Sequence, residues 1–314
     1  MIRRVSRALL AICLVLVPAA GRAQDSGTPP PRHTLGEHVF IPRNEVVDPF
    51  TTSYVASTSG FARGSATGPT FDLNGQPVNL ADYEIIAYSQ LFSGQWGITD
   101  WLALRIRASG TFYGGANGSA AAGIGVNAII RAGIGTTMSW QLAPNFRLGA
   151  LVDLGFGPSV GIDILDSIRQ SIAEGSVQTP VNSSSSTVLT PAVSAAWTVT
   201  RGLGAVFNLS YTHNAVRADE SSGGTDVLAG QAALDLDLRE LGSIPLGLAV
   251  SYSAGYSVGD ERFRRWVLGG GIFYTGRQAL TLGLELAYRR APLGTHDVFV
   301  SSTYALFSLR YNFD

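Results

Sequence analysis

Between Trp101 and Tyr113 the chain alternates without a break. Leu102, Leu104, Ile106, Ala108, Gly110 and Phe112 fall on one parity, and Ala103, Arg105, Arg107, Ser109 and Thr111 on the other. A period of two predicts a β-strand with one apolar face and one polar or small face. The strand exceeds the usual soluble-sheet length of about five or six residues and suits the roughly 9–11 that a tilted strand needs to cross a bilayer. Gly97-Ile98-Thr99-Asp100 turns the chain back from an earlier arm, Tyr83 to Trp96, on which Ile86, Tyr88, Phe92 and Trp96 share a face that Glu84 and Gln90 interrupt. The two arms read as one hairpin, and most of the chain repeats it.

The first strand is Phe50 to Ser59, weakly alternating, and Gly60 to Leu80 reads as a loop. After the Trp101–Tyr113 arm and a Gly/Ala loop, Gly114 to Gly123, alternation returns in Val126–Leu142, with Arg131 on the polar side. It continues in Phe146–Gly157, with Arg147 and Asp153 pointing in. Residues 158–186 interrupt it. Ile162, Leu165, Ile168 and Ile172 recur at helical spacing, so a short amphipathic helix over 162–174 is expected in this loop, with a flexible Ser183–Ser186 run after it. Six more strands follow: Thr187–Thr200, one around Phe207–Asn214, Leu228–Arg239, Leu246–Tyr256, Trp266–Tyr274 and Leu280–Arg289. A last strand carries Phe307, Leu309, Tyr311 and Phe313 outward. The total is about twelve, even as in bacterial single-chain barrels.

Connections alternate in length. The shorter set follows every second strand, and short periplasmic turns with longer outer loops are the rule for such barrels, which places both termini in the periplasm. Trp96, Trp140 and Trp197 each close a strand that descends to a short turn, and Trp266 opens one at the far end. Indole has an apolar body and a polar N–H, so these four are expected in girdles at the two lipid–water boundaries. A soluble β-sandwich also alternates, but its strands are shorter and its solvent face is richer in charge. The expectation is an all-β chain forming a transmembrane antiparallel up-and-down barrel of about twelve strands over residues 49–314, with one short helix in an outer loop.

Composition sharpens this picture. Charged residues are 14% and there are 37 glycines in 314 residues, against about 25% charge in soluble domains. Beyond the start of the chain no apolar run is long enough for a membrane helix, as expected when apolar residues sit on alternate positions. A net charge of −1 gives no electrostatic case for nucleic acid. Residues 1–23 carry Arg3, Arg4 and Arg7, an apolar core from Ala8 to Val17 and small residues before Ala23, the signature of a secretory signal. The single cysteine, Cys13, lies in that segment, so the mature chain has no disulfide and no thiolate site. Residues 24–48, with Pro29-Pro30-Pro31, read as an extended periplasmic tail.

Two stretches resemble known families. Tyr304 to Phe313, with alternating Phe307, Leu309, Tyr311 and Phe313, resembles the terminal signal of bacterial outer-membrane barrels, except that Asp314 follows the last Phe. That resemblance implies the lipid bilayer and the barrel-assembly machinery as partners, the latter through the C-terminal strand. Trp96-Gly97-Ile98-Thr99-Asp100-Trp101-Leu102-Ala103-Leu104 resembles the "aromatic-Gly-x-Thr-Asp-x-Leu" element of outer-membrane transporters related to the phenol meta-pathway family, and recurs loosely at Trp197–Leu203. The implied role is passage of small, often apolar or aromatic compounds. The resemblance assigns no site residues.

Candidate chemistry lies on the inward face. Arg105, Arg107, Arg131 and Arg147 would line one wall, with Asp153 beside them, and Asp235, Asp237 and Glu285 a roughly opposite wall at about the depth of Arg105 and Arg107. Opposed charge across a water-filled lumen orients dipolar solutes and selects ions. Twelve strands lie between the filled eight-stranded and open sixteen-stranded cases, so a closed structural or adhesive barrel stands as the alternative to a channel. Small inward residues, Gly247, Ser251, Gly255, Gly269 and Gly271, leave room and favour the open lumen. A lipid hydrolase is a minor alternative: His213 faces outward, but Ala215 stands where a nucleophile is needed. His33, His38 and His296 lack metal-ligand spacing, Gly269-Gly270-Gly271 is followed by no helix to bind phosphate, and no cofactor or enzymatic activity is expected.

Overall fold

A computed structural model describes residues 33–313 except 45, 72–76, 124, 163–180, 219–221, 243, 259–263, 278 and 293–298. The signal at 1–23 and all of the 162–174 helix beyond Ile162 lie outside the described residues.

Twelve antiparallel strands close into a barrel. They are β3 (Tyr54–Phe71), β4 (Pro77–Thr99), β5 (Leu102–Gly115), β6 (Val126–Ala143), β7 (Phe146–Ile162), β8 (Val181–Thr200), β9 (Leu203–Ala218), β10 (Ser222–Asp237), β11 (Leu246–Val258), β12 (Arg264–Tyr274), β13 (Leu280–Pro292) and β14 (Phe299–Asn312). Each strand pairs with the next, and β14 pairs with β3 from Asn312↔Tyr54 to Ser301↔Ser65, so the sheet has no edge. A two-strand hairpin precedes the barrel, β1 (Thr34–Leu35) and β2 (His38–Val39). Its turn residues Gly36 and Glu37 both have positive φ, as a two-residue hairpin turn requires. Two short helices, α1 (Gly118–Gly123) and α2 (Leu238–Gly242), sit in connections.

The alternation faces outward as its period dictates. Leu104, Leu234 and Leu284 are 47%, 50% and 60% exposed, whereas a sandwich would bury them together. Their polar neighbours Arg105, Asp235 and Glu285 are buried inside. Among the described residues no helix is long and apolar enough to cross a membrane. The strands supply the apolar band.

The recurrence of the Trp96–Leu102 element has a backbone cause. Register shifts occur between Gly97 and Thr99, between Gln141 and Ala143, and between Thr198 and Thr200. Each is a bulge beginning one residue after a tryptophan (Trp96, Trp140, Trp197) and just before a short turn. Bulges at barrel rims add local twist and end the pairing.

Three expectations are corrected. The loop assigned to Gly60–Leu80 is mostly strand, since β3 and β4 stay paired up to Phe71↔Pro77. Its Gly, Ala, Ser and Thr residues carry no bulk on either face, so no alternation shows. Ser183–Ser186 is ordered for the same reason, paired with Val160, Ser159, Pro158 and Gly157. At the two ends, Phe50 is no strand residue but a buried part of the preceding segment, and Phe313 lies beyond β14, buried, its N–H bonded to the Ser53 carbonyl.

Candidate functional site

The lumen divides into two parts, and the segment before β3 makes the division. The described residues between 33 and 53 lie outside the twelve barrel strands, and they pack against the inner wall. Leu35, Phe40, Val46 and Phe50 form a buried cluster with the wall residues Ala196, Val206 and Ala233, and Ile41 meets Ala249 and Phe273. Burying such side chains favours docking by about 1.5–3 kcal/mol each. The wall is shaped to receive them. A Cβ at Gly204 would lie 2.5 Å from the His38 ring, and one at Gly247 would lie 2.3 Å from Ile41. The contacts gather at the short-turn end: the Thr51 hydroxyl donates to the Asp100 carbonyl at 2.9 Å and the Thr198 hydroxyl to the Leu35 carbonyl at 2.5 Å. The tip rises further, to Asn44 and Val47.

Polar anchors fix the segment. His38 Nε2 bonds Asp235 Oδ1 while Nδ1 lies 3.0 Å from the Arg201 carbonyl. Asn44 donates to Glu285 at 2.6 Å and accepts from the Thr58 hydroxyl at 2.6 Å. Arg43 donates to the Leu234 carbonyl. Burial pulls its guanidinium down to about 10, with Asp235 and Glu285 working to keep it charged. At the third anchor Arg310 donates to His33 Nε2, leaving the ring proton on Nδ1, 3.3 Å from Asp48. Burial, with Arg310 beside it, pushes His33 below its ordinary value, and Asp48 works the other way. Burial works to raise the Asp48 carboxyl, but His33, Arg310 and the Phe50 N–H hold it below the ordinary carboxylate range.

The structure therefore separates the residues singled out as pore-lining. Asp235, Asp237 and Glu285 face inward but not onto open space. Asp235 is 1% exposed beneath His38, Asp237 caps α2 by accepting the Arg239 N–H at 3.0 Å, and Glu285 is covered by Asn44. Arg147 also lies beside the docked segment, 5.4 Å from the Phe50 ring and 3.4 Å from the Ser139 hydroxyl. Arg105, Arg107, Arg131 and Asp153 are brought together instead. Asp153 Oδ2 lies 3.6 Å from Arg105 and 3.4 Å from Arg107. The opposed-wall picture is corrected accordingly, because the acidic wall is matched by His38, Arg43 and Asn44. So is the reading of the small inward residues: Ile41 fills the space at Gly247, Arg265 that at Gly255, and Glu285 and Phe273 that at Gly271.

Among the described residues, two large adjoining chambers lie above the docked segment. The inner one, about 380 Å³, has Asn44 and Val47 in its lining together with Arg105, Arg107, Arg131 and Asp153. The outer one, about 590 Å³, lies toward the long loops and is lined by Tyr113, Arg131, Arg265, Arg289 and Tyr304 among others. Ser109, Arg131 and Arg265 line both. Among the described residues the two linings hold five arginines and one carboxylate.

On the outer surface Trp140 and Trp197 are exposed near the short turns with Trp96, and the Trp266 ring meets Tyr288 at 5.3 Å, tilted by 45°, toward the other end. His213 Nδ1 lies 2.7 Å from Asp226 across the β9–β10 pair, and Ala215 presents no nucleophile there. No group of three or more metal-ligating side chains occurs among the described residues.

No family model matches the sequence. No curated protein matches it either. Solved structures share its fold. The translocator domain of autotransporter NalP from Neisseria meningitidis is similar with a TM-score of 0.52 at 10% identity, over 83% of this chain and 89% of that one. An outer membrane channel from Pseudomonas putida F1 is similar with a TM-score of 0.53 at 12% identity, over 87% of this chain and 100% of that one. At such identities the likeness is one of fold, a closed antiparallel barrel.

Proposed function

We propose that the chain is an outer-membrane channel for passive diffusion of small solutes, with both termini in the periplasm and residues 33–53 closing the periplasmic end. The observation that carries this reading is the pair of adjoining chambers of about 380 and 590 Å³, sharing Ser109, Arg131 and Arg265 in their linings, within a closed barrel. A barrel that served only as a scaffold has no need of an inward cluster of arginines, which is expensive to maintain in a low-dielectric wall. The N-terminal signal delivers the chain to the periplasm, and the outward Phe307 and Leu309 of β14 are presented to the barrel-assembly machinery.

The docked segment gives the closed structural barrel a specific observation in its favour. Single-channel recording separates the two. A channel shows discrete conductance steps in planar bilayers, and a variant lacking residues 33–48 shows larger ones. Bilayers that stay silent for both proteins at high load establish the closed barrel and end the channel reading.

A further inference from the structure

The three arginines of the inner chamber are arranged as a ladder. Arg105 pairs across β5–β6 with Gly135, Arg107 with Gly133, and Ser109 with Arg131, so the guanidiniums climb one wall from the docked segment toward the outer chamber. Asp153 pairs with Gly135 in turn. A Cβ at Gly135 would lie 2.0 Å from Asp153 Oδ1, so this glycine lets the carboxylate lean across toward Arg105.

Asp153 does not satisfy them. Its 3.6 and 3.4 Å separations from Arg105 and Arg107 exceed the roughly 2.7–2.9 Å of a formed charge-assisted bond. Arg105 is only 3% exposed, and its Nε and Nη1 have no hydrogen-bond partner among the described residues. A buried guanidinium with unmet donors wants an acceptor, and a planar two-oxygen acceptor fits its fork. Arg131 on the next strand is exposed to the chamber. Leu91, Leu151, Val188 and Val47 line the same space. About 380 Å³ lies within the range of small-molecule sites.

We propose that this chamber binds a small organic monocarboxylate, its carboxylate on Arg105 and Arg107 with Arg131 next on the route, and its apolar body against Leu91, Leu151 and Val188. The site takes its place on a path across the membrane from the channel reading, on which it rests. Asp153 is the built-in competitor. It lowers the net charge of the ladder so that the solute is held weakly enough to leave, as conduction requires.

The test uses the full chain in detergent, with folding of every variant checked by heat-modifiable electrophoretic mobility. Benzoate, the uncharged isostere benzamide and inorganic phosphate are titrated calorimetrically. Benzoate binds, and benzamide and phosphate bind at least about tenfold more weakly. Arg107→Gln, at a half-exposed position that tolerates substitution, weakens benzoate by about tenfold, and Arg105→Gln by at least as much. Asp153→Asn tightens it. Benzamide matching benzoate, phosphate exceeding it, or unchanged affinity in both Arg107→Gln and Asp153→Asn overturns the site. The two readings separate in bilayers. Conductance without benzoate binding removes the site and leaves the channel, whereas binding without conductance keeps the site and removes the route.

Discussion

The two ends of the lumen are made from the same alternating strands yet solve different problems. At the short-turn end the inward face is Ala, Gly and acid, and the segment before β3 supplies the missing bulk and the matching partners: Phe40 and Phe50 into the small residues, His38 onto Asp235, Asn44 onto Glu285. Toward the long loops the inward face carries arginines among apolar, aromatic and small polar residues, and of the docked segment only Asn44 and Val47 appear in the lining of the chambers. An inward charge is thus evidence about a pore only when no other part of the chain answers it. Asp235 and Glu285 belong to a docking surface, while Arg105, Arg107 and Arg131 line the inner chamber beside Asp153.

Asp235→Ala should break this contrast most strongly. It leaves His38 Nε2 without its partner and removes a carboxylate from beside the buried Arg43, and losing one partner of a buried charged pair costs about 3–5 kcal/mol. Hydrogen exchange should show loss of protection over residues 33–53 with the barrel amides unchanged, and single-channel conductance should rise. Unaltered protection at Leu35–Phe40 would show that the apolar contacts alone hold the segment. Gly204→Val attacks the same end through shape. Its side chain would meet His38 and Phe40, and overpacking costs about 1–3 kcal/mol, so conductance should rise by less than in Asp235→Ala.

Much of this was legible in the sequence, and the failures have physical causes. Strand identity and facing came through wherever Leu, Ile, Val or an aromatic marked one parity, as on β5, because that bulk must meet lipid. It failed at Gly60–Leu80 and Ser183–Ser186, where small residues on both faces pair as readily but leave no periodic signal. The docking of residues 33–53 was hidden because its partners are remote: His38 and Asp235 are 197 positions apart. A signal did exist. Phe40, Ile41, Val46 and Phe50 are too apolar for a free linker, and they stand before a barrel whose inner wall carries Ala196, Gly204, Ala233 and Gly247. Likewise, nothing in the spacing tells Asp153, beside two arginines, from Asp235, beneath a histidine.

Acid should loosen the segment at one corner. His33 is faced by Arg310, Asp48 and Arg147, and its docked value lies below the ordinary 6.5. The released state then binds the proton more readily. Docking is at full strength above that pH and weakens as pH falls through it. Asp48, also depressed, acts in the same direction but only once pH reaches the ordinary carboxylate value of 3.8, so between pH 7 and 5 His33 acts without it. Other titratable side chains lie in the same segment, so the effect has to be assigned to His33 by substitution. The measurable quantity is therefore a difference. Protection at residues 46–53 should fall more between pH 7 and 5 in the native chain than in His33→Asn, and equal falls would place the sensitivity elsewhere.

The smallest effect sharpens the comparison by its absence. Gly155 stands on the inward face of β7 in the lining of the inner chamber, and a Cβ there would find its nearest neighbour, Val188, at 3.7 Å, ordinary contact. Gly155→Ala should change stability by no more than about 0.5 kcal/mol and leave protection of residues 33–53 untouched. The same one-carbon addition at Gly204 would lie 2.5 Å from an imidazole. If Gly155→Ala and Gly204→Ala perturb the segment equally in hydrogen exchange, the lumen is not divided into a filled and an open part. If only Gly204→Ala registers, the division is a property of the wall itself, set residue by residue by where a methyl group has room.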